Sequence, residues 1–151
     1  MVKLTCTLDS GACVSVLPKE CTMGYKVTAD GETRCYTTAS GEEVVDEGSV
    51  KLNAQNDNYN DCQLNFRVTE PSVRKPLVSA YKTCLAGNRI VLDLEKGSYV
   101  YNKKSKQFTS VFVKDGTFQY DVWVRKPQVM TVQVGQRSGS ATGTFRRQGP
   151  P

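Results

Sequence analysis

Histidine is absent from this chain of 151 residues, and its absence narrows the possible chemistry sharply. Without histidine, the Ser-His-Asp and Cys-His nucleophilic mechanisms and the common zinc hydrolase sites are excluded. The six cysteines include no CxxC spacing, so the sequence gives no support to a zinc site or a dithiol redox site. Any hydrolase here must work with carboxylates, and we expect no metal and no other cofactor.

Long apolar stretches are also missing. No run approaches the ~20 residues that a membrane-spanning helix needs, and no charged-then-apolar signal segment opens the chain. We therefore expect a soluble, intracellular (cytoplasmic) domain without membrane contact. In that compartment the cysteines stay reduced, and we interpret them as small buried hydrophobic residues.

The charge is unevenly distributed. The chain has 20 basic and 15 acidic residues. From position 125 onward there is no acid and there are five basic residues, which are Arg125, Lys126, Arg137, Arg146 and Arg147. The body of the chain before position 125 therefore has 15 basic and 15 acidic residues. A neutral body argues against a nucleic-acid-binding face, which needs clustered cations. Residues 1–134 are predicted to form one domain. Residues 135–151, rich in Gly, Ser, Thr, Arg and Pro, are predicted to be a disordered basic tail that contacts acidic partners, nucleic acid included, only weakly.

Alternation of apolar and polar residues recurs along the chain and predicts an all-β domain, either a small closed barrel or a sandwich. The polar stretch 53–61 is predicted to be a surface loop. The predicted strands are 2–8, 14–17, a hairpin over 34–52 with a bulge at Gly48, then 64–68, 90–94, 99–101, 108–113, 118–124 and an edge strand at 130–134.

One short helix is predicted between residues 77 and 85. Its apolar residues fall at helical spacing, and we interpret that face as core packing (Leu77, Ala80, Tyr81, Cys84 and Leu85). Ser79 is the predicted N-cap, and Gly87 is the predicted stop.

The most informative motif is Asp9-Ser10-Gly11-Ala12, at the end of the first predicted strand. An aspartic protease needs two carboxylates that share a proton, so that one activates water and the other polarises the scissile carbonyl. A hydroxyl residue next to the Asp locks two such loops together, a Gly allows close backbone approach, and a small residue leaves room for substrate. The motif supplies all four residue types.

The run Leu8–Pro18 resembles the active-site segment of retropepsins, the aspartic proteases of retroviruses and retrotransposons. The resemblance implies that Asp9 is the catalytic residue, that Ser10 provides the interlocking hydroxyl, and that Gly11 and Ala12 complete the catalytic loop. It also implies a small closed β-barrel of the acid-protease type with one short helix.

The resemblance extends with less specificity to about residue 125. The hairpin from Thr37 to Val50 stands where the family has its flap, which implies substrate contacts by Thr37, Thr38 and Ala39; an ordinary hairpin turn is the alternative. The likeness of the catalytic loop implies that Ala12 and Cys13 contact substrate as well. Ser79 stands where the family has a Gly, and Cys13 where many members have an Asp. Segments beyond residue 75 are similar to copia-type polyproteins. Only eight residues precede Asp9, which leaves a truncated N-terminus as one interpretation.

The other Asp-Gly pairs, Asp30-Gly31 and Asp115-Gly116, are interpreted as turns, so one usable Asp per chain predicts a homodimer. The predicted function is an aspartic endopeptidase that hydrolyses a retrotransposon-type polyprotein. Two alternatives remain: a catalytically inactive retropepsin-like dimerisation or peptide-binding module, and a nucleic-acid-associated segment that acts through the basic tail.

Overall fold

The computed structural model describes residues 1–29, 34–37, 41, 43–69, 74–127, 131–132 and 145–146. The prediction of an all-β chain with one short helix is confirmed. The described elements are β1 (Val2–Asp9), β2 (Val16–Pro18), β3 (Arg34–Thr37), β4 (Glu43–Gln55), β5 (Asp61–Thr69), β6 (Leu77–Ser79), α1 (Ala80–Leu85), β7 (Asn88–Val91), β8 (Ser98–Asn102), β9 (Phe108–Lys114), β10 (Thr117–Val124), β11 (Thr131–Val132) and β12 (Phe145–Arg146).

Ten of the strands form one sheet in the order β3-β4-β5-β2-β6-β1-β10-β9-β8-β7. β4 also pairs with β10, where Ala54 lies opposite Val124, so pairings lead from β4 through β5, β2, β6, β1 and β10 back to β4. We call these six strands the core sheet and β7–β9 the outer hairpins. β11 and β12 pair only with each other among the described strands, and most of the predicted tail lies outside the described residues.

The core is built by strand alternation. Leu4 and Cys6 of β1 lie directly opposite Val122 and Tyr120 of β10, and all four side chains are buried. Because side chains two residues apart share a face, the intervening Thr5 lies on the other face, where its hydroxyl donates to Asp121. The remaining buried apolar residues are Leu17, Val50, Leu52, Ala54, Phe66, Val68, Val78, Val111 and Val124.

The predicted bulge at Gly48 is confirmed by a register shift in the β4–β5 pairing. Gly48 has a φ of 137°, and a Cβ there would lie 2.5 Å from the backbone oxygen of Thr28, so both conformation and space require glycine. The Gly48 amide donates to Asp46 Oδ1 at 2.8 Å, and Arg67 Nε contacts Asp46 Oδ2 at 2.7 Å. A buried ion pair thus fixes the bulge.

The surface loop predicted over residues 53–61 is shorter than expected, because strands occupy both of its ends. β4 continues to Gln55 and β5 begins at Asp61, while Ala54 and Asn56 are buried. The polar composition is misleading because Asn53 and Gln55 alternate with Ala54, whose small side chain faces the core. Only residues 56–60 form the turn.

The predicted core face of the helix was also wrong. Leu77–Ser79 form β6, and α1 has only six residues. Tyr81 and Leu85 are 60% and 65% exposed, and Cys84 is exposed too, because the helix follows β6 on the outside of the sheet. The Ser79 N-cap is confirmed, since its side chain accepts the Lys82 amide hydrogen bond.

Smaller corrections concern the cysteines and two strand ends. Cys6 is buried as expected, but Cys13 and Cys84 are exposed. Val14 precedes β2 rather than belonging to it, and β7 ends at Val91, which leaves Leu92 and Leu94 exposed. In the described part of the chain, no helix is long and apolar enough to cross a membrane.

Candidate active site

Asp9 is the last residue of β1 and lies where two parallel strands run side by side. β6 pairs with β1 in parallel, with Val78 opposite Leu8 and Ser79 opposite Asp9. The chain then turns, and Asp9 is half-buried while Ser10, Gly11 and Cys13 are exposed. The sequence-predicted catalytic residues therefore lie together on one accessible loop.

The Asp9 carboxylate is held by its own loop. The Gly11 amide donates to Asp9 Oδ1 at 2.8 Å, and the Ala12 amide donates to the Asp9 backbone oxygen at 3.4 Å. A Cβ at Gly11 would lie 3.3 Å from Asp9 Oδ1, which is a tight contact. Glycine at this position lets the backbone donate to the carboxylate without crowding it, as the sequence analysis expected.

Within the described residues, the Gly11 amide is the only hydrogen-bond donor to the Asp9 carboxylate, and no cation pairs with it. The Ser10 hydroxyl has no partner in the same part of the chain. Within the described residues, the second carboxylate oxygen of Asp9 and the hydroxyl of the exposed Ser10 therefore have no hydrogen-bond partner.

Ser79 and Ser15 hold the Asp9 loop against β6. The sequence analysis assigned no site role to Ser79. The Ser79 amide donates to Ser15 Oγ at 2.9 Å, and Ser79 Oγ donates to the Ala12 backbone oxygen at 2.6 Å. Ser79 is fully buried, and its Oγ also accepts from the Lys82 amide at 3.1 Å. One side chain thus joins the Asp9 loop, β6 and the start of α1.

A signal for Ser79 was present in the sequence, because a residue predicted as an N-cap must have a side-chain oxygen near backbone groups. What the sequence could not show is that the Asp9 loop lies within reach of that oxygen. The contact spans 67 residues and depends on the parallel pairing of β1 with β6. Ser15 belongs to the run Leu8–Pro18, and its hydrogen bond from the Ser79 amide ties that run to β6.

The predicted flap is described only in part. β3 and β4 form an antiparallel hairpin in which Thr37 lies opposite Glu43. Thr38 and Ala39 lie outside the described residues, as does the side chain of Thr37. The hairpin itself is confirmed, and the predicted substrate contacts of these three residues stay predictions.

A second carboxylate is not supplied by the strands beside Asp9. Its β6 neighbour is Ser79, and on β10 the nearest paired position is Gln119, opposite Thr7. The Asp115-Gly116 pair is a tight turn between β9 and β10, as predicted, with Asp115 at a φ of 53°. Asp30 and Gly31 lie outside the described residues.

Metal-ligand clusters and clefts are the other features of a chain that can serve as reaction centres. Among the described residues, no group of three or more Cys, Asp or Glu side chains is placed to hold a metal ion. Two clefts of about 780 and 870 Å³ open elsewhere, and Asp9 lines neither of them. Asp9 is half-buried beside the exposed Ser10 and Gly11 and lies outside both clefts.

Comparisons with known proteins add no assignment. No family model, curated protein or solved structure matches the chain.

Proposed function

We propose that the chain is an aspartic endopeptidase of the retropepsin type, in which Asp9 from each of two copies forms the catalytic dyad. The observation that carries the proposal is the local geometry of Asp9. Its carboxylate ends a core strand, accepts a hydrogen bond from the Gly11 amide, and lies on a loop fixed by buried Ser79. These contacts hold the Asp9 carboxylate in a fixed position, which a catalytic dyad requires.

The topology supports the same proposal. The pairings of the core sheet return to β4, and we infer that they close a small barrel of the acid-protease type. β1 and β6 run in parallel beside Asp9, and β2 and β5 pair in parallel just beyond, with Leu17 opposite Val68. Parallel pairs between short strands hold the loop between β1 and β2 on both sides.

The chemistry follows from two like charges brought close together. Two Asp9 carboxylates ~3 Å apart cannot both ionise, so one retains a proton. The ionised carboxylate takes a proton from water, and the resulting hydroxide attacks the peptide carbonyl, whose oxygen is polarised by the protonated carboxyl. Protonation of the leaving amine then completes cleavage. In such a dimer the exposed Ser10 hydroxyls would hydrogen-bond between the two loops.

A homodimer is required because the strands beside Asp9 supply no second carboxylate. The strands next to Asp9 present Ser79 and Gln119 rather than an acid. The loop with the exposed Ser10 and Gly11 is where a two-fold-related copy would place its own carboxylate, and an isologous contact brings identical residues together at the axis. We propose peptides or polyproteins as the substrate class and the β3–β4 hairpin as the element that covers them.

The test is cleavage of a mixed-sequence peptide library, followed by mass spectrometry, alongside sedimentation to measure size. Asp9→Asn is expected to abolish cleavage without changing the thermal midpoint, whereas the matched control Asp115→Asn alters only a turn residue and keeps full activity. Retained cleavage in Asp9→Asn would refute the proposal. A folded, dimeric wild-type chain that cleaves no peptide would favour the non-catalytic module instead.

A further inference from the structure

A cleft of about 780 Å³ opens between the core sheet, α1 and the outer hairpins; Ser15 lines it and Asp9 does not. Its volume lies within the usual range of small-molecule sites. β5 and β10 supply much of its floor, and β6 and β8 contribute one side chain each. The apolar floor residues are Cys62, Leu64, Phe66, Val78, Val100 and Val122.

Tyr120 lines this cleft from the inner face of β10. The residue is only 6% exposed, but its hydroxyl is not among the fully buried, unpartnered side-chain atoms of the described residues. No described residue hydrogen-bonds this hydroxyl, so it is available to a ligand in the cleft. Burial, with the nearby Cys6 and Cys62 thiols, raises the pKa of Tyr120, so the hydroxyl stays protonated as a donor.

Cations predominate at the rim of the cleft. Lys82 of α1 and Lys104 of the β8–β9 turn both line it and are exposed. One acid, Asp61, also lines it, but Arg125 contacts the Asp61 carboxylate and compensates its charge. The rim therefore carries an excess of positive charge.

Two amide side chains of the cleft wall are engaged with each other and with the backbone. Asn102 Nδ2 donates to Asn88 Oδ1 at 3.1 Å, and Asn88 Nδ2 donates to the Thr83 backbone oxygen at 2.9 Å. Asn65, Ser105 and Gln107 also line the cleft with neutral polar side chains, so the groups there that can attract a negative charge are the ammonium groups of Lys82 and Lys104.

We propose that the cleft binds an organic anion with an apolar body, of the medium-chain carboxylate class. The apolar floor takes the hydrocarbon, the Tyr120 hydroxyl donates to the ligand, and Lys82 and Lys104 attract its negative charge. The assignment is independent of the proposed protease, because it uses no residue of the Asp9 loop.

The experiment is calorimetric titration of the full chain with dodecanoate below its micelle concentration, with dodecanol as the uncharged probe of equal length. Dodecanoate is expected to bind saturably with one site per chain, about ten-fold or more tighter than dodecanol. Tyr120→Phe keeps the ring volume and is expected to weaken dodecanoate binding about three- to ten-fold.

The charge variants complete the design. Lys82→Gln with Lys104→Gln is expected to weaken dodecanoate about ten-fold and to reduce its salt dependence, since the rim cations are gone. The matched control, Lys96→Gln with Lys114→Gln, removes two exposed lysines away from the cleft and keeps wild-type affinity. Absence of saturable binding to the wild type, equal affinity for dodecanol, or equal affinity in all variants would overturn the proposal. Asp9→Asn is expected to bind normally, which separates this result from the fate of the protease.

Discussion

The core sheet and the outer hairpins are neighbours in one sheet, but they are stabilised in different ways. In the core sheet, Leu17, Leu52 and Val122 are at most 1% exposed. In the outer hairpins, only Val111 belongs to the buried apolar cluster, and Phe108 and Phe112 are 45% and 38% exposed. Burial of apolar surface stabilises the core sheet, and much less apolar surface is buried in the outer hairpins.

Aromatic contacts and side-chain hydrogen bonds take the place of a core in the outer hairpins. The Phe108 ring centroid lies 5.1 Å from that of Tyr99 and 4.7 Å from that of Tyr101. Asn56 Nδ2 donates to the Phe108 backbone oxygen and to Thr109 Oγ1, both at 2.9 Å. The outer hairpins show that a sheet can extend beyond its hydrophobic core where side-chain hydrogen bonds hold the additional strands in place.

The largest expected effect tests the role of burial. Leu52→Ala removes a fully buried side chain and is expected to lower the free energy of unfolding by about 2–5 kcal/mol. The matched control is Leu94→Ala, which truncates a leucine that is 80% exposed and is expected to change stability by less than about 0.5 kcal/mol. Urea denaturation measures both. Equal losses would contradict the contrast between the two regions.

The next effect tests the fastening of the outer hairpins. Asn56→Ala removes a 5% exposed side chain that donates twice to β9 and accepts from the Asn58 and Asn60 amides, so we expect a loss of about 1–3 kcal/mol. Asn58→Ala removes one exposed hydrogen bond to the Phe108 oxygen and is expected to lose less. Amide hydrogen exchange should rise in β8 and β9 before β1. Uniform exchange in Asn56→Ala would show that the two regions unfold as one.

Ser79 joins the Asp9 loop to β6 and α1, and its removal is expected to have a smaller effect on stability. Ser79→Ala loses the N-cap contact and the hydrogen bond to the Ala12 oxygen, so we expect about 0.5–2 kcal/mol lower stability. Peptide cleavage is expected to fall further than this loss explains, because the Asp9 loop is no longer fixed. Unchanged turnover in a destabilised Ser79→Ala protein would show that the loop needs no such support.

How far the sequence predicted the molecule depends on the range of each contact. The β1 strand, the Gly48 bulge, the Ser79 cap and the Asp115-Gly116 turn follow from local rules of alternation, φ and capping, and all are found. The exposure of Tyr81 and Leu85 could not be predicted, because helical spacing shows which residues share a face and not what that face meets.

The candidate site also has short-range contacts that the sequence predicts and long-range contacts that it does not. Asp9, Ser10 and Gly11 are adjacent in sequence, and the Gly11 amide bond to Asp9 spans two residues. The bond from Ser79 to the Ala12 oxygen, and the meeting of Tyr120 with Lys82 and Lys104 around one cleft, arise only when distant strands pair. No local pattern encodes such contacts.

The smallest effect is expected in alkali. Burial and the nearby Asp61 raise the pKa of Cys62 from its ordinary value of 9.0 to about 11, and burial raises the pKa of Cys6 as well. Between pH 9.0 and about 11 the Cys62 thiol is deprotonated in the unfolded chain but keeps its proton in the folded chain. The contribution of this thiol to the free energy of unfolding is therefore fully present below pH 9.0 and is lost as the pH rises towards about 11. Cys62→Ala is expected to show a shallower fall by urea denaturation, whereas Cys84→Ala, at an exposed thiol, keeps the wild-type slope.

The central claim, that two copies of Asp9 act as one catalytic unit, is tested most directly by mixing chains. Wild-type and Asp9→Asn chains are exchanged at constant total concentration, and peptide cleavage is measured against the wild-type fraction. If both carboxylates are needed, activity follows the square of that fraction, so an equal mixture retains about one quarter of full activity. Activity proportional to the wild-type fraction, about one half at the same point, would contradict a dyad shared between chains.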